Sequence, residues 1–164
     1  MRLDLLAAAA THTAAANNHS ILIYGPPKTG KTRFVATAAE IPEVRRIVWF
    51  DLENGFQTLL TMGLSPEAMQ KVELIRIPDT RARPIAVETM LKAIAAGVAV
   101  SICEEHGKAG CVECKKAGKP TTDFHLASLG HSDLVVIDSG SQLGDSALAA
   151  ACLGRDIGFK PGFD

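Results

Sequence analysis

The chain has 164 residues, of which 47% are apolar and 21% charged, with a formal net charge of −1. This is one domain's worth of chain in ordinary globular proportions, and it excludes a polycation that grips nucleic acid through a global field. No apolar run approaches the length that spans a bilayer, so the expected location is the cytoplasm and no membrane partner is expected.

Residues 3–16 read as an Ala-rich helix ended by Asn17 and Asn18. The apolar part is too short for a secretory leader, and Asp4 interrupts its start. Ser20, Ile21, Leu22, Ile23 and Tyr24 form a β-prone apolar run. Directly after it come Gly25, Pro26, Pro27, Lys28, Thr29, Gly30, Lys31 and Thr32, which fit G-x-x-x-x-G-K-[ST]. A helix-compatible stretch then runs from Thr32 to Glu40. Strand, glycine loop and helix in this order form a phosphate-binding loop. The glycines let backbone N–H groups curl around a polyphosphate, and the helix start adds a favourable dipole. Lys31 is expected to reach the β- and γ-phosphates and the Thr32 hydroxyl to ligate Mg²⁺. The expected ligand is a nucleoside triphosphate, ATP in the first instance. No guanine-reading N-K-x-D is present.

Pro42 marks a break, and residues 45–50 (Arg-Arg-Ile-Val-Trp-Phe) read as a second strand with Asp51, Leu52, Glu53 and Asn54 at its end. A short helix is expected from Phe56 to Met62. Ser65 then reads as an N-cap with Pro66 in the first turn. Residues 72–77 alternate as a third strand. Pro84 opens a long helix expected to run from Ile85 to about Ser101, and a Gly/Lys/Cys-rich insertion follows to about Pro120. Leu134, Val135, Val136 and Ile137 form a wholly apolar, β-branched run ending in Asp138, as a buried parallel strand does. Alternating strands and helices predict an α/β fold, a parallel sheet with helices on both faces.

Two acidic positions complete the expected site. Asp138 at the end of its apolar strand is placed to hold Mg²⁺ opposite Thr32; the alternative is a carboxylate capping the turn. Asp51 and Glu53 follow the second strand, and parallel strands emerge at one edge of the sheet. Glu53 can there orient and deprotonate an attacking water, with a solvated acidic loop as the alternative.

The glycine loop, the Phe50-Asp51-Leu52-Glu53 tip and the Val135-Val136-Ile137-Asp138-Ser139 segment together resemble RecA-like ATPases. Within them, phage-encoded nucleotide-binding proteins of the recombinase type are the most similar. The resemblance covers roughly residues 20–60 and 133–150. It implies that Glu53 is the catalytic base, that a homo-oligomer completes the site, and that single-stranded DNA is a partner. It also implies a phage origin, with the host cytoplasm as location. One departure is plain: RecA-like domains continue with further strands, whereas only 26 residues follow Asp138. The expectation is one P-loop domain over residues 1–164, incomplete at its C-terminus. The alternative is a strand order that differs from the RecA pattern, with the Asp138 strand directly beside the glycine-loop strand, which needs no missing piece. No arginine finger is evident; Arg81 and Arg83 after the third strand are ordinary loop arginines or interface residues.

Cys103, His106, Cys111 and Cys114 form C-x₂-H-x₄-C-x₂-C, a complete tetrahedral donor set for Zn²⁺. Gly107 and Gly110 permit the tight return between the two pairs. The expectation is a compact zinc lobe over residues 103–120, with His125 and His131 as substitutes for His106. Reduced surface cysteines or a redox pair at Cys111 and Cys114 are the alternatives, and Cys152 reads as a small buried apolar residue. Lys108, Lys115, Lys116 and Lys119 make the lobe a candidate contact for a DNA backbone.

These readings converge on an ATP-binding and ATP-hydrolysing protein of DNA recombination, repair or replication. A nucleotide-binding module or fragment without turnover, and a small-molecule kinase, are the alternatives. The kinase usually carries an arginine-rich lid, which the Lys- and Cys-rich insertion does not match.

Overall fold

The computed structural model describes residues 19–80, 83–95 and 98–154. The Ala-rich helix expected over residues 3–16, Arg81 and the last ten residues lie outside this set. The chain divides into two compact units, residues 1–31 and 32–164.

In the first unit, residues 20–24 form no strand. Ile21, Leu22 and Tyr24 are 82%, 84% and 88% exposed. This corrects the expected strand before the glycine loop. An apolar, β-prone run becomes a strand only where a neighbouring edge supplies its ladder, because β-propensity measures the fit of side chains to a pleated surface.

The second unit is built around three parallel strands in the order β2-β1-β5: β1 (Arg46–Asp51), β2 (Val72–Arg76) and β5 (Asp133–Asp138). Asp51 lies in register with Arg76 on one side and with Asp138 on the other. The Leu52 N–H donates to the Asp138 carbonyl at 2.7 Å and the Ile77 N–H to the Asp51 carbonyl at 3.0 Å, so both ladders run one step past the strands. Three chemically active side chains thereby start from one edge.

The central strand is apolar on both sides because both sides are covered. Val48 and Phe50 enter a core with Ile75, Ile77, Met90, Ile102 and Phe124. Ile47 and Trp49 enter a second core with Ala36, Ala39, Leu59 and Ala68. That alternation follows from the two-residue period of a strand. Around the sheet lie α1 (Lys31–Ala36), α2 (Gln57–Thr61), α3 (Pro66–Gln70), α4 (Ala86–Ala95) and α6 (Gly140–Gly154). Ser65 caps α3 as expected, its hydroxyl accepting from the Ala68 N–H at 3.1 Å.

One expected element ends early. The helix drawn from Ile85 to Ser101 is described over Ala86–Ala95 and does not reach Ser101: Val100–Cys103 forms strand β3, antiparallel to β4 (Thr121–Phe124). Gly97 interrupts the helical pattern, and Val98, Val100 and Ile102 then alternate as strand residues do. The Cys-rich insertion is therefore a hairpin, with α5 (Val112–Lys116) between its strands. Cys152 is half-buried rather than buried. Among the described residues no helix is long and apolar enough to cross a membrane.

Candidate nucleotide and metal sites

The glycine loop closes on itself. Lys28 and Gly30 have φ of 65° and 88°, the left-handed conformation that turns successive N–H groups toward one side. The Lys31 ammonium donates to the carbonyls of Gly25 and Pro26, each at 2.9 Å. The Thr29 hydroxyl donates to the Pro26 carbonyl at 2.8 Å. The Lys31 ammonium is thus held over the backbone of its own loop.

In the second unit the Thr32 hydroxyl donates to Asp138 Oδ2 at 3.1 Å, joining residues 106 positions apart. A hydroxyl and a carboxylate at this spacing are hard oxygen donors suited to Mg²⁺. Gly55 packs against the same carboxylate, where a Cβ would stand 2.8 Å from Asp138 Oδ2. The Asp138–Ser139 peptide is cis.

Glu53 is exposed and accepts a hydrogen bond from the Ser139 hydroxyl, so the loop after β1 and the turn after β5 hold it together. Asp51 is buried and accepts from the backbone N–H of Gly55 at 2.7 Å and of Phe56 at 3.4 Å. Its carboxylate shapes the loop that carries Glu53.

A cleft of about 610 Å³ opens at this edge, lined among others by Glu53, Arg76, Asp79, Glu104, Glu105 and Gln142. Sequence reasoning missed Arg76, Asp79 and Ser139 as functional positions. Arg76 donates to Asn54 Oδ1 at 2.9 Å and lies 4.7 Å over the Phe56 ring. Asp79 accepts from the Ala86 N–H at 2.8 Å and the Ser146 hydroxyl at 3.2 Å, tying the starts of α4 and α6 to the end of β2. The available signal was position, just beyond the carboxyl ends of parallel strands.

The insertion gathers its four expected ligands. Donor atoms of Cys103, His106, Cys111 and Cys114 all lie within 4.8 Å of one another. His106 Nδ1 stands 3.2 Å from Cys114 Sγ and 3.6 Å from Cys111 Sγ. Tetrahedral sulfurs around one zinc, with Zn–S of about 2.3 Å, lie about 3.8 Å apart, so this shell is close to the needed size. The backbone N–H of Cys114, and then the His106 ring, pull the Cys111 thiol down to about 6. Burial, and then Cys111 and Cys103, push the Cys114 thiol up to about 12. One thiolate forms readily and the next is opposed, a balance that a divalent cation shifts toward full ionisation. All four cysteines are free of disulfides. Arg83 donates to the His106 carbonyl at 3.3 Å, which places it on this lobe.

A family model described as an AAA domain matches residues 17–160. The chain belongs to this family, and the glycine loop and the parallel sheet are those of a nucleotide-binding P-loop ATPase domain. No curated protein sequence and no solved structure matches it.

Proposed function

We propose that this P-loop ATPase domain binds Mg²⁺–ATP and hydrolyses it within a phage-encoded DNA recombination, repair or replication protein of the RecA-like, recombinase type. The observation that carries the nucleotide reading is the Thr32–Asp138 hydrogen bond at 3.1 Å, which pairs the two oxygen ligands expected for Mg²⁺. In this reading the glycine loop of residues 25–32 wraps the phosphates, with the backbone N–H groups of Lys28, Thr29 and Gly30 and the Lys31 ammonium binding phosphate oxygens. Thr32 and Asp138 would hold Mg²⁺, which would neutralise phosphate charge when bound. Glu53, oriented by Ser139, takes a proton from the water that attacks the γ-phosphorus, and the bond to the β–γ bridging oxygen breaks to release ADP and phosphate. Asp51 supports Glu53 through the loop backbone.

The Cys103, His106, Cys111 and Cys114 set holds a structural Zn²⁺. Single-stranded DNA as partner and assembly into a homo-oligomer follow from the resemblance, with Lys115 and Lys116 at the end of α5 as the nearest candidate DNA contacts.

The test is Mg²⁺–ATP binding and turnover, with and without single-stranded DNA, for the chain, Lys31→Ala and Glu53→Gln. Binding lost in Lys31→Ala, with turnover lost but binding kept in Glu53→Gln, is expected. Equal turnover in Glu53→Gln overturns the assignment of the base. Turnover indifferent to DNA removes the DNA half of the reading. Phosphoryl transfer to a nucleoside acceptor would move the protein to the kinases.

A further inference from the structure

The four metal-binding side chains sit on a segment that forms one wall of the cleft beside Glu53. Glu104 and Glu105 lie between the first two ligands and line that cleft together with Arg76 and Asp79. Between the second and third ligands, Gly107 is seated flush on the backbone at the end of β2. A Cβ there would stand 2.6 Å from Pro78 Cδ and 2.7 Å from both the Arg76 carbonyl oxygen and Ile77 Cα. Its φ of 60° is also one that side-chain-bearing residues rarely adopt.

A buried clip holds the same point from the other side. The Thr89 hydroxyl on α4 donates to the Gly107 carbonyl at 3.1 Å and accepts from the Ala109 N–H at 3.4 Å. Thr89 is 1% exposed and Ala109 is 2% exposed, so both bonds lie in the core. The segment's own regular structure is slight, an isolated bridge between Ile102 and Ala109 and a single turn after Cys103. Backbone bonds from the Cys103 N–H to the Lys108 carbonyl at 3.2 Å and from the Gly110 N–H to the Ser101 carbonyl at 2.9 Å tie it to β3, and the four converging side chains close it on the other side.

We propose that zinc in this cluster is the strut that seats the 104–110 segment on the turn after β2, and so fixes the acidic wall and Arg76 of the cleft that the ATPase reading uses. This rests on the zinc reading above and adds to it a purpose: the metal organises residues 76–79 at a distance from its own ligands. Without the metal, crowded thiols and an imidazole favour separation, and Gly107 lifts from Pro78 while the Thr89 bonds open. The β1–β5 ladder and the β1–β2 pairing as far as Ile75 do not depend on the lobe and stay protected, while the last step of β2 at Arg76 and Ile77 loosens.

The experiment uses the full chain. Metal is quantified in protein purified without added zinc, and the site is reloaded with Co²⁺, whose thiolate charge-transfer bands report sulfur ligation. Amide hydrogen exchange is then compared before and after chelation. One equivalent of zinc, sulfur-ligated cobalt and a rise of about tenfold or more in exchange at residues 76–79 and 104–110, with β1 unchanged, is expected. Gly107→Ala keeps all four ligands but cannot seat; it is expected to retain metal and show the same exchange rise at 76–79. Zinc bound, with chelation loosening residues 103–116 alone, overturns the strut while leaving the metal site standing. Protein without metal and without cobalt–sulfur bands overturns both. ATP binding by the glycine loop is measured alongside, so a failure of the ATPase reading is seen separately.

Discussion

Gly55 offers a direct probe of the candidate Mg²⁺ ligands. Its backbone is not in the left-handed region, so alanine is conformationally allowed there, and the cost of Gly55→Ala is steric. The new methyl would meet Asp138 Oδ2 at 2.8 Å and Asp138 Cγ at 3.7 Å, with Asp51 Oδ1 at 3.8 Å. An ordinary C···O contact is about 3.3 Å, so the carboxylate oxygen has to retreat by about 0.5 Å. A short side chain does this by turning off its rotamer, which costs about 0.5–1.5 kcal/mol. The same turn stretches the Thr32–Asp138 hydrogen bond from 3.1 Å toward the limit at which such bonds fail. Global stability should therefore fall by no more than about 1.5 kcal/mol. Mg²⁺-dependent nucleotide binding should weaken by about tenfold, the equivalent of about 1.4 kcal/mol. The assay is a Mg²⁺ titration of nucleotide binding, paired with urea denaturation of the same samples. Gly130→Ala is the control, since its Cβ meets only Arg45 Nη2 at 3.8 Å. Gly55→Ala with an unchanged Mg²⁺ midpoint would refute the reasoning. So would a variant that unfolds, because the strain would then lie in the backbone and not in the carboxylate.

Phe124→Ala removes a buried ring that packs edge-on against Phe50, with centroids 5.1 Å apart. It should cost about 3–5 kcal/mol in urea denaturation, and a loss under about 1 kcal/mol would mean that the hairpin is not part of the main core. Asp133 is held at about 2 by the Arg45 side chain, against the opposing effect of burial and with help from the Gly130 N–H. A folded-state value below the unfolded one stabilises fully above the unfolded value and is lost as pH falls through the folded one. The stability gap between wild type and Asp133→Asn should therefore narrow between about pH 4 and pH 2. A gap that stays constant across that window would show that Arg45 does not act through the ionised carboxylate.

Much of the candidate site was legible from residue order alone. The glycine loop, Asp51 with Glu53, Asp138 and the Cys-x₂-His-x₄-Cys-x₂-Cys set are local patterns in which each residue type carries its chemistry wherever the chain goes. The positions of three strands were equally legible, β1 and β5 from their apolar runs and β2 from its alternation. The expected burial held only for β1: Leu134, Val135 and Ile137 of β5 are 36%, 41% and 38% exposed, which corrects the reading of that run as a buried strand. The run at residues 20–24 and the end of the helix after Ala95 were misread for one reason. Both sequences satisfy a local preference, and their state depends on a ladder partner far away in the chain.

What the sequence by itself determined is therefore the inventory: a phosphate loop, a metal set, apolar strands and their acidic ends. Tertiary structure alone decided which of these meet. Parallel register brought Asp51, Arg76 and Asp138 to one edge, and chain closure over 106 positions set Thr32 against Asp138. The close approach at Gly107 put the Cys103, His106, Cys111 and Cys114 cluster against the turn after β2. Such encounters depend on distances between distant segments, which no local preference encodes and which only the packing of both cores on one sheet supplies.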